Sequence, residues 1–200
     1  MIAIIDYDAG NLKSVEKAFL ALGEECVVTR DHDSIRRADR VVLPGVGSFG
    51  TAMQQLKKYE LDQVIREVVQ EDKPFLGICL GLQLLFERSE ESDGVEGLHL
   101  LDGEIVKIPE RRDLRSRTSA GIHWISRMRR LFAGLKEQPY VYFVHSYYLK
   151  AKDPSIVKAT TEYGVTIHAS VEKGNLFACQ FHPEKSSTVG LQILKNFAEI

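Results

Sequence analysis

The alternation of short apolar runs with helical patterns in the first half of the chain restricts the fold more than any other feature. Helical spacing begins after Asn11, a residue type that caps helices, and returns from about Ser48, over Leu61 to Glu71 and over residues 80–87. The apolar runs between these stretches are candidates for buried strands, at residues 2–6, 26–30, 40–44 and 74–79. Strands that alternate with helices in this way form a parallel sheet with helices on both faces.

The second half of the chain is richer in strand patterns and closes with a helical pattern from about Ser187 to Ala198. Its strand candidates are residues 104–108, 140–145, 155–160, 167–171 and 176–182. No repeat or linker divides the 200 residues, which suffice for one core. We therefore predict a single domain over residues 1–200 with a three-layer α/β fold. Its central sheet is mostly parallel and flanked by helices, with antiparallel strands added in the second half.

The composition excludes several classes of protein. A net charge of -2 gives no electrostatic reason to expect nucleic acid or an acidic membrane as a partner. The start of the chain has no basic region before its apolar run, so it is typical neither of a signal peptide nor of a membrane span. The three cysteines lie far apart and lack the spacing of a zinc or redox pair. We expect a cytoplasmic protein.

Cys79 stands in a turn that can present it as a nucleophile. The segment Gly77 to Gly81 reads G-x-C-x-G between a predicted strand and a predicted helix, the cysteine form of the nucleophile elbow. Its glycines leave room for a tight turn. The following helix end favours a thiolate and aims the amide of Leu80 at an oxyanion. Cys26 and Cys179 lie inside strand-like runs, where a free cysteine is usually a core residue.

The segment HPE supplies a base for this nucleophile. His182 and Glu184 are two residues apart, so an extended chain would project both side chains to the same side, and Pro183 discourages a helix there. His182 would then face the thiol while Glu184 supports the imidazole. Alone, the segment is equally consistent with a surface turn. Together with Cys79 it indicates cysteine hydrolase chemistry.

A glycine-rich loop, Gly45 to Gly50, matches the dinucleotide-binding pattern G-x-G-x-x-G after a predicted strand. A dinucleotide site also needs an acidic residue near the end of the next strand. That strand ends at Cys79, and the acidic residues Glu71 and Asp72 come before it. We therefore interpret the loop as the source of a second oxyanion donor from its backbone amides.

Three longer motifs resemble those of the class I, triad-type glutamine amidotransferases: PGVGSFG at residues 44–50, GICLGLQLLFE at 77–87 and FHPEKSS at 181–187. Within that family, IDYDAGNLKSV at residues 5–15 and VYFVHSYY at 141–148 resemble the glutaminase subunits of imidazole glycerol phosphate synthases, enzymes of histidine biosynthesis. The lysine that follows HPE points the same way. The motifs stand in the family's order across nearly the whole chain.

The resemblance implies that Cys79 attacks the side-chain amide of glutamine, with His182 as proton shuttle and Glu184 as its orienting group. A glutamyl thioester forms, ammonia leaves, and water releases glutamate. The oxyanion would be held by amides of Leu80 and of the segment 46–47, where a peptide would rotate to present its donor. The implied oxyanion and substrate residues are Val46, Gly47 and Leu80, and Gly45, Gln83, His145, Ser146 and Tyr147.

The resemblance also implies a heterodimer partner. This is a (β/α)₈-barrel cyclase, which uses the ammonia on a phosphoribulosyl substrate to make imidazole glycerol phosphate and AICAR. Tyr142 and Lys185 match positions that face the cyclase. No metal, organic cofactor, nucleic acid or membrane is implied.

Residues 115–130 depart from the family's pattern, which has P-H-x-G-W-N between the strands at 104–108 and 140–145. This chain has RSRTSAGIHWISRMRR. This segment has three interpretations: a solvated basic loop, a nucleic-acid-binding patch, or the product of two compensating frameshifts near Arg115 and Arg130. Codons can be chosen for this segment that, read two bases later, give VPHLGWNTLDFKDAP and restore the motif. If the segment is real, Trp124 is not the family's tryptophan, and docking to the cyclase and activation by it are in doubt.

Two other functions stay open. The same glutaminase domain could serve another synthase, such as one for anthranilate, guanylate or pyridoxal phosphate, although the motif at residues 5–15 speaks against this. The altered segment at 115–130 also suggests a binding module on a degraded amidotransferase fold.

Overall fold

A computed structural model describes residues 1–109, 119–124, 130–136 and 138–200 of the chain. Its helices are α1 (Leu12–Ala21), α2 (His32–Arg37), α3 (Phe49–Lys58), α4 (Leu61–Gln70), α5 (Leu80–Leu84) and α6 (Ser187–Ala198). Its strands are β1 (Ile2–Ile5), β2 (Cys26–Thr29), β3 (Arg40–Leu43), β4 (Phe75–Ile78), β5 (Arg88–Ser89), β6 (Gly103–Lys107), β7 (Ser119–Gly121), β8 (His123–Trp124), β9 (Tyr140–Tyr142), β10 (Tyr147–Ala151), β11 (Val157–Glu162), β12 (Thr166–Lys173) and β13 (Leu176–Cys179). Short 3₁₀ turns cover Pro154–Ile156 and Pro183–Lys185.

Among the described residues, the main sheet has eight strands in the order β2-β1-β3-β4-β13-β12-β11-β8. Strands β2, β1, β3, β4 and β13 are mutually parallel, and β12, β11 and β8 continue the sheet in antiparallel pairs. Two small sheets, β10-β6-β5 and β7-β9, add to the second half. The prediction of a mostly parallel central sheet with antiparallel strands in the second half is confirmed.

Strand β1 shows why the sheet needs helices on both faces. Its residues are all buried, and they alternate between two cores. Ala3 and Ile5 pack in a core that includes apolar residues of α3 and α4, whereas Ile2 and Ile4 pack in a core that includes residues of α1 and α6. A strand covered on both sides reads as a continuous apolar run, which is the pattern of residues 2–5.

The position of β4 determines where a site can form. It lies between β3 and β13 and runs parallel to both. The carboxyl ends of the three strands therefore meet at one edge of the sheet, where ligands of such folds bind. The chain continues from these ends into Pro44, Cys79 and Gln180.

Several local predictions need correction. The helix after Cys79 ends at Leu84, well short of residue 87, because the chain then turns into the short strand β5. The strand predicted for 140–145 ends at Tyr142, and α2 and β10 were not predicted. Pro183 begins a 3₁₀ turn rather than continuing an extended chain. Proline is tolerated at the start of a helix because its missing N–H would have no partner there.

Residues 115–118 and 125–129 of the unusual segment lie outside the described residues, and with them Arg115, Arg117, Arg127 and Arg129, whereas residues 119–124 contain β7 and β8. Arg130 is described, and its side chain forms hydrogen bonds with residues of the turn between β12 and β13. Its guanidinium donates to the carbonyl oxygen of Gly174 (2.9 Å) and to the side chain of Asn175 (2.7 Å). Within the ranges that the structure describes, no helix is long and apolar enough to cross a membrane.

Candidate active site

The turn at Cys79 has the tight geometry that its glycines predict. Cys79 lies between β4 and α5 with φ 55° and ψ -106°, a backbone conformation that residues other than glycine rarely adopt. A Cβ on Gly81 would lie 1.8 Å from the carbonyl oxygen of Leu43, and one on Gly77 would lie 2.9 Å from that of Gly81. Both positions must therefore be glycine, and the sequence between them forms a strained turn at the edge of the sheet.

His182 and Glu184 form a buried pair behind the cysteine. The Nδ1 of His182 lies 2.7 Å from the Oε1 of Glu184, and the two side chains are 1% and 0% exposed. A carboxylate oxygen only accepts, so Nδ1 carries the proton and the Nε2 of neutral His182 has a free lone pair. Nε2 is buried and has no hydrogen-bond partner among the described residues.

The electrostatic surroundings of His182 favour its protonated form. Burial alone lowers the pKa of His182, but the Cys79 sulfur and the Glu184 carboxylate outweigh it and raise the pKa to about 9. An imidazole of this kind accepts a proton from a neighbouring thiol readily, because the imidazolium is stabilised from two sides. The arrangement can therefore support a thiolate–imidazolium pair.

Asn11 lies at the helix start where it was predicted, but its side chain makes a different contact. It occupies the position before α1 in a left-handed conformation (φ 74°), but its side chain makes no capping hydrogen bond. Its Nδ2 instead donates to the Oε1 of Glu184 at 2.5 Å. Asn11 thus holds the same carboxylate oxygen that binds His182. Sequence analysis missed this contact because the two residues are 173 positions apart.

The glycine-rich loop lies against the turn at Cys79. Val46 and Gly47 line the same cavity as Cys79 and Leu80, whereas Gly45 is buried and does not line it. The amide of Leu80 donates to the carbonyl oxygen of Gly45 at 3.4 Å, which is long for a hydrogen bond. The structure therefore places the predicted oxyanion donors together, with the Leu80 amide already engaged by the loop.

A cavity of about 340 Å³ opens onto the cysteine. Every predicted substrate residue except Gly45 lines it: Gln83, His145, Ser146 and Tyr147. Glu91 also lines this cavity and was not predicted, because it stands in an acidic stretch that is typical of a solvated turn. One of its carboxylate oxygens accepts the backbone N–H of Phe49 at 2.8 Å, which holds the carboxylate against the cavity.

His145 contributes to the cavity as a neutral group. Its Nδ1 donates to the carbonyl oxygen of Tyr147 at 2.7 Å. Burial lowers the pKa of His145 to about 4, and the hydrogen bond to Tyr147 offsets this only in part, while His182 lowers it further. His145 therefore carries no charge at neutral pH.

Tyr142 and Lys185 lie beside each other near the pair of His182 and Glu184. The Nζ of exposed Lys185 lies 5.6 Å from the ring centroid of Tyr142, and that ring stands edge-on to the imidazole of His182 at 6.2 Å. A contact at this surface is thus only one aromatic ring away from His182.

Among the described residues, no group of three or more His, Cys, Asp or Glu side chains is placed to hold a metal ion.

Comparison with known proteins identifies relatives along the whole chain. The profile of the class I glutamine amidotransferase family matches residues 3–200. The imidazole glycerol phosphate synthase subunit HisH of Bacillus cereus is 49% identical over 98% of this chain and 93% of its own. The protein of the same name from Methanocaldococcus jannaschii is 42% identical over 100% of both chains.

Solved structures agree at the level of the fold. A glutamine amidotransferase superposes with a TM-score of 0.77 at 19% identity, over 100% of this chain and 98% of its own. PurLQS from Thermotoga maritima superposes with a TM-score of 0.74 at 17% identity, over 99% and 97% of the two chains. Such low identities show a shared fold and nothing further.

Proposed function

The chain belongs to the class I glutamine amidotransferase family, and from this premise we propose that it is the glutaminase subunit of an imidazole glycerol phosphate synthase. The observation that carries the proposal is the identity of 42% to 49% with proteins of that subunit name over nearly their whole length. The buried Cys79, His182 and Glu184 at one sheet edge support the chemistry. The motif at residues 5–15 favours this subunit over the glutaminase domains of other synthases.

In the proposed reaction the thiol proton of Cys79 passes to the Nε2 of His182 before attack, which leaves a thiolate–imidazolium pair. The thiolate attacks the side-chain amide carbon of glutamine, so a C–S bond forms and the carbonyl electrons move to the oxygen. When this tetrahedral intermediate collapses, its C–N bond breaks and the imidazolium gives its proton to the leaving nitrogen, which departs as ammonia. Water, deprotonated by His182, then attacks the thioester, and glutamate leaves as the C–S bond breaks.

The cavity has groups suited to the amino-acid end of glutamine. The Glu91 carboxylate can bind the α-ammonium group, because an ion pair in a partly closed cavity is stronger than one in water. Both N–H groups of the Gln83 amide bind protein oxygens, so its Oε1 is the group left to accept from the substrate. We infer that the backbone of His145, Ser146 and Tyr147, which line the cavity, binds the α-carboxylate.

The oxyanion hole needs a change in the loop at residues 45–47. The amide of Leu80 is held by the Gly45 carbonyl, so this carbonyl must move before the amide can bind an oxyanion. Gly47 has φ 106°, a conformation natural to glycine, and a peptide rotation here would bring an amide toward Cys79. We expect the resting subunit to be slow for this reason, and the loop to rearrange when the partner binds.

The partner in this proposal is a (β/α)₈-barrel cyclase that receives the ammonia and makes imidazole glycerol phosphate and AICAR. Tyr142 and Lys185 supply a surface for it, next to His182. The alternative of a catalytically impaired binding module keeps one observation in its favour, the altered segment 115–130. A binding module of this kind is predicted to bind the cyclase without releasing glutamate from glutamine.

The test is glutamate release from glutamine, measured with and without the barrel cyclase. Wild type should release glutamate with the cyclase present, and Cys79→Ala should lose at least about a thousandfold of this rate. Cys26→Ala is the matched control and should keep it, because Cys26 lies on β2 away from the cavity. No release by a folded, cyclase-bound wild type would favour the binding module, and equal rates without the cyclase would contradict the gating.

A further inference from the structure

Gln180 is a buried amide beside the nucleophile to which the function proposed above gives no role. It follows the last residue of β13 and is 0% exposed. Its Nε2 lies 3.8 Å from the Sγ of Cys79, within reach of an N–H···S hydrogen bond. Its Oε1 accepts a hydrogen bond of 3.1 Å from the Nε2 of Gln83.

A backbone carbonyl determines the direction of this chain of amides. The carbonyl oxygen of Tyr147 can only accept, so Gln83 must turn its NH₂ group toward it, at 3.1 Å. The other N–H of that NH₂ group points to Gln180, which must therefore present its oxygen. The NH₂ group of Gln180 is then left on the side of Cys79. Gln83 therefore donates to Gln180, and Gln180 donates to the sulfur of Cys79.

We propose that Gln180 is a further catalytic residue, which donates a hydrogen bond to the Cys79 sulfur and stabilises its thiolate, while Gln83 is the positioning residue that orients it. A hydrogen bond to a charged acceptor is stronger than one to a neutral acceptor, so the thiolate gains more than the thiol. His182 removes the proton, and Gln180 supports the charge that stays on the sulfur. The inference rests on the proposed function and deepens it, because the thiolate is the attacking species.

The surroundings of the sulfur make a neutral donor useful. Among the described residues, the ionisable groups that face this sulfur, its immediate partners or the same cavity are Tyr7, Cys179, His182, Glu184, Glu91 and neutral His145. Of these, the imidazolium of His182 carries the positive charge, and it loses that charge when it protonates the leaving nitrogen. The amide of Gln180 keeps its N–H at every step, so it can stabilise the thiolate when the thioester is finally hydrolysed.

The experiment measures the alkylation of Cys79 by iodoacetamide against pH, in the complete subunit and without glutamine. Mass spectrometry of the Cys79 peptide separates it from partly buried Cys26. The variant Gln180→Met keeps the length and apolar volume of the side chain but has no N–H donor. We expect the midpoint of the alkylation profile to rise by about one pH unit. Ser170→Ala is the matched control, because buried Ser170 binds the Ala178 carbonyl on β13, and its profile should not move.

Two further variants keep the test decisive. Gln180→Asn retains a buried amide but draws its N–H away from the sulfur, so it should shift the midpoint in the same direction even if Gln180→Met folds poorly. Gln83→Met should shift it less, because it only frees the Gln180 amide to rotate. A wild-type profile in folded Gln180→Met or Gln180→Asn would overturn the proposal.

The outcome also separates this inference from the proposed function. Alkylation does not require glutamine to be a substrate. If the Gln180 variants shift the profile but the wild-type protein releases no glutamate, the hydrogen bond is supported and the glutaminase proposal is contradicted. An unshifted profile in a subunit that does release glutamate would contradict the hydrogen bond alone.

Discussion

At the scale of single residues, Asn11 shows how a side chain placed by its backbone can serve a site elsewhere in the fold. Asparagine tolerates the left-handed conformation that the chain adopts before α1. This conformation turns the amide away from the helix end and toward Glu184. The buried carboxylate is thereby held from two sides, by Asn11 and by His182, while its Oε2 has no partner among the described residues.

Asn11→Gly and Asn11→Asp separate the backbone role of Asn11 from its side-chain role. Glycine keeps the left-handed conformation and loses the donor, so we expect kcat for glutamate release to fall about tenfold with little change in KM. Aspartate keeps the shape but puts a second carboxylate against Glu184. The activity of Asn11→Asp relative to wild type should fall further as pH rises, because the shared proton that joins the two carboxylates is lost. Wild-type kcat in Asn11→Gly would contradict this role.

The charge state of His182 gives a second prediction at this scale. Burial lowers its pKa, and Cys79 is the first of the groups that raise it to about 9. Removing the sulfur in Cys79→Ala should therefore lower the pKa of His182, although Glu184 still raises it. The imidazolium that persists from neutral pH toward pH 9 in wild type should then lose its proton at a lower pH. Titration of the His182 ring signals by NMR measures both values, and equal pKa values would contradict the pairing.

At the scale of elements, the loop after β3 is anchored by a tyrosine from the end of β1. The hydroxyl of buried Tyr7 donates to the carbonyl oxygen of Pro44 at 2.9 Å. A Cβ on Gly45 would lie 2.1 Å from that hydroxyl and 3.2 Å from the Cβ of Leu80. The loop that carries Val46 toward the cavity thus starts from a residue that must be glycine because of Tyr7, a requirement that its G-x-G-x-x-G pattern alone did not reveal.

This clash predicts a coupling between Tyr7 and Gly45. Gly45→Ala should reduce the free energy of unfolding by about 1–3 kcal/mol through overpacking. Tyr7→Phe should reduce it by about 1–2 kcal/mol, because the buried Pro44 carbonyl loses its donor. The double variant should lose at least about 1 kcal/mol less than the sum, since removing the hydroxyl makes room for the new methyl group. Urea unfolding of the four proteins measures this, and simple additivity would contradict the contact.

At the scale of the whole molecule, the buried pair of His182 and Glu184 lies close to an exposed surface, which we propose carries the partner. Lys185 is exposed and follows Glu184 directly, in the same 3₁₀ turn. A partner that contacts this turn and Tyr142 would therefore act on residues adjacent to the imidazole of His182. This provides a short physical route from docking to activity and requires no rearrangement of the central sheet.

Lys185→Glu tests this surface. Reversing an exposed charge should weaken binding of the barrel cyclase by about tenfold or more if Lys185 lies in the interface. Alkylation of Cys79 in the free subunit should not change, because Lys185 does not line the cavity. Lys195→Glu on α6 is the matched control, an exposed lysine on another element. Unchanged affinity in Lys185→Glu, measured by calorimetry, would place the interface elsewhere.

Sequencing the gene again, rather than making a variant, tests the frameshift hypothesis for the segment 115–130. The frameshift hypothesis predicts that its codons, read two bases later, encode VPHLGWNTLDFKDAP, and that a repeated reading of the gene gives this sequence. An unshifted coding sequence with unrelated codons would contradict it. In that case the binding and activation experiments on the chain as it stands decide whether the segment impairs the subunit.

A feature of this molecule can be predicted from the sequence when the residues that determine it lie close together along the chain. The alternating strands and helices, the glycines around Cys79 and the helix over Ser187–Ala198 follow from patterns a few residues long, and the structure has them. The extended geometry predicted for His182 and Glu184 was wrong, since Pro183 starts a 3₁₀ turn. Their side chains nevertheless meet at 2.7 Å, because a short turn also joins neighbours.

The sequence by itself determined which residue is strained and exposed to the cavity, because turn, glycine and strand requirements are local. Only the tertiary structure decided which groups surround it. Asn11, Glu91 and Gln180 reach the site from separate parts of the chain, and the contact between Gln180 and Cys79 spans 101 positions. Such contacts depend on which strands are neighbours. The order β3-β4-β13 brings them together at one edge, and no local pattern encodes that order.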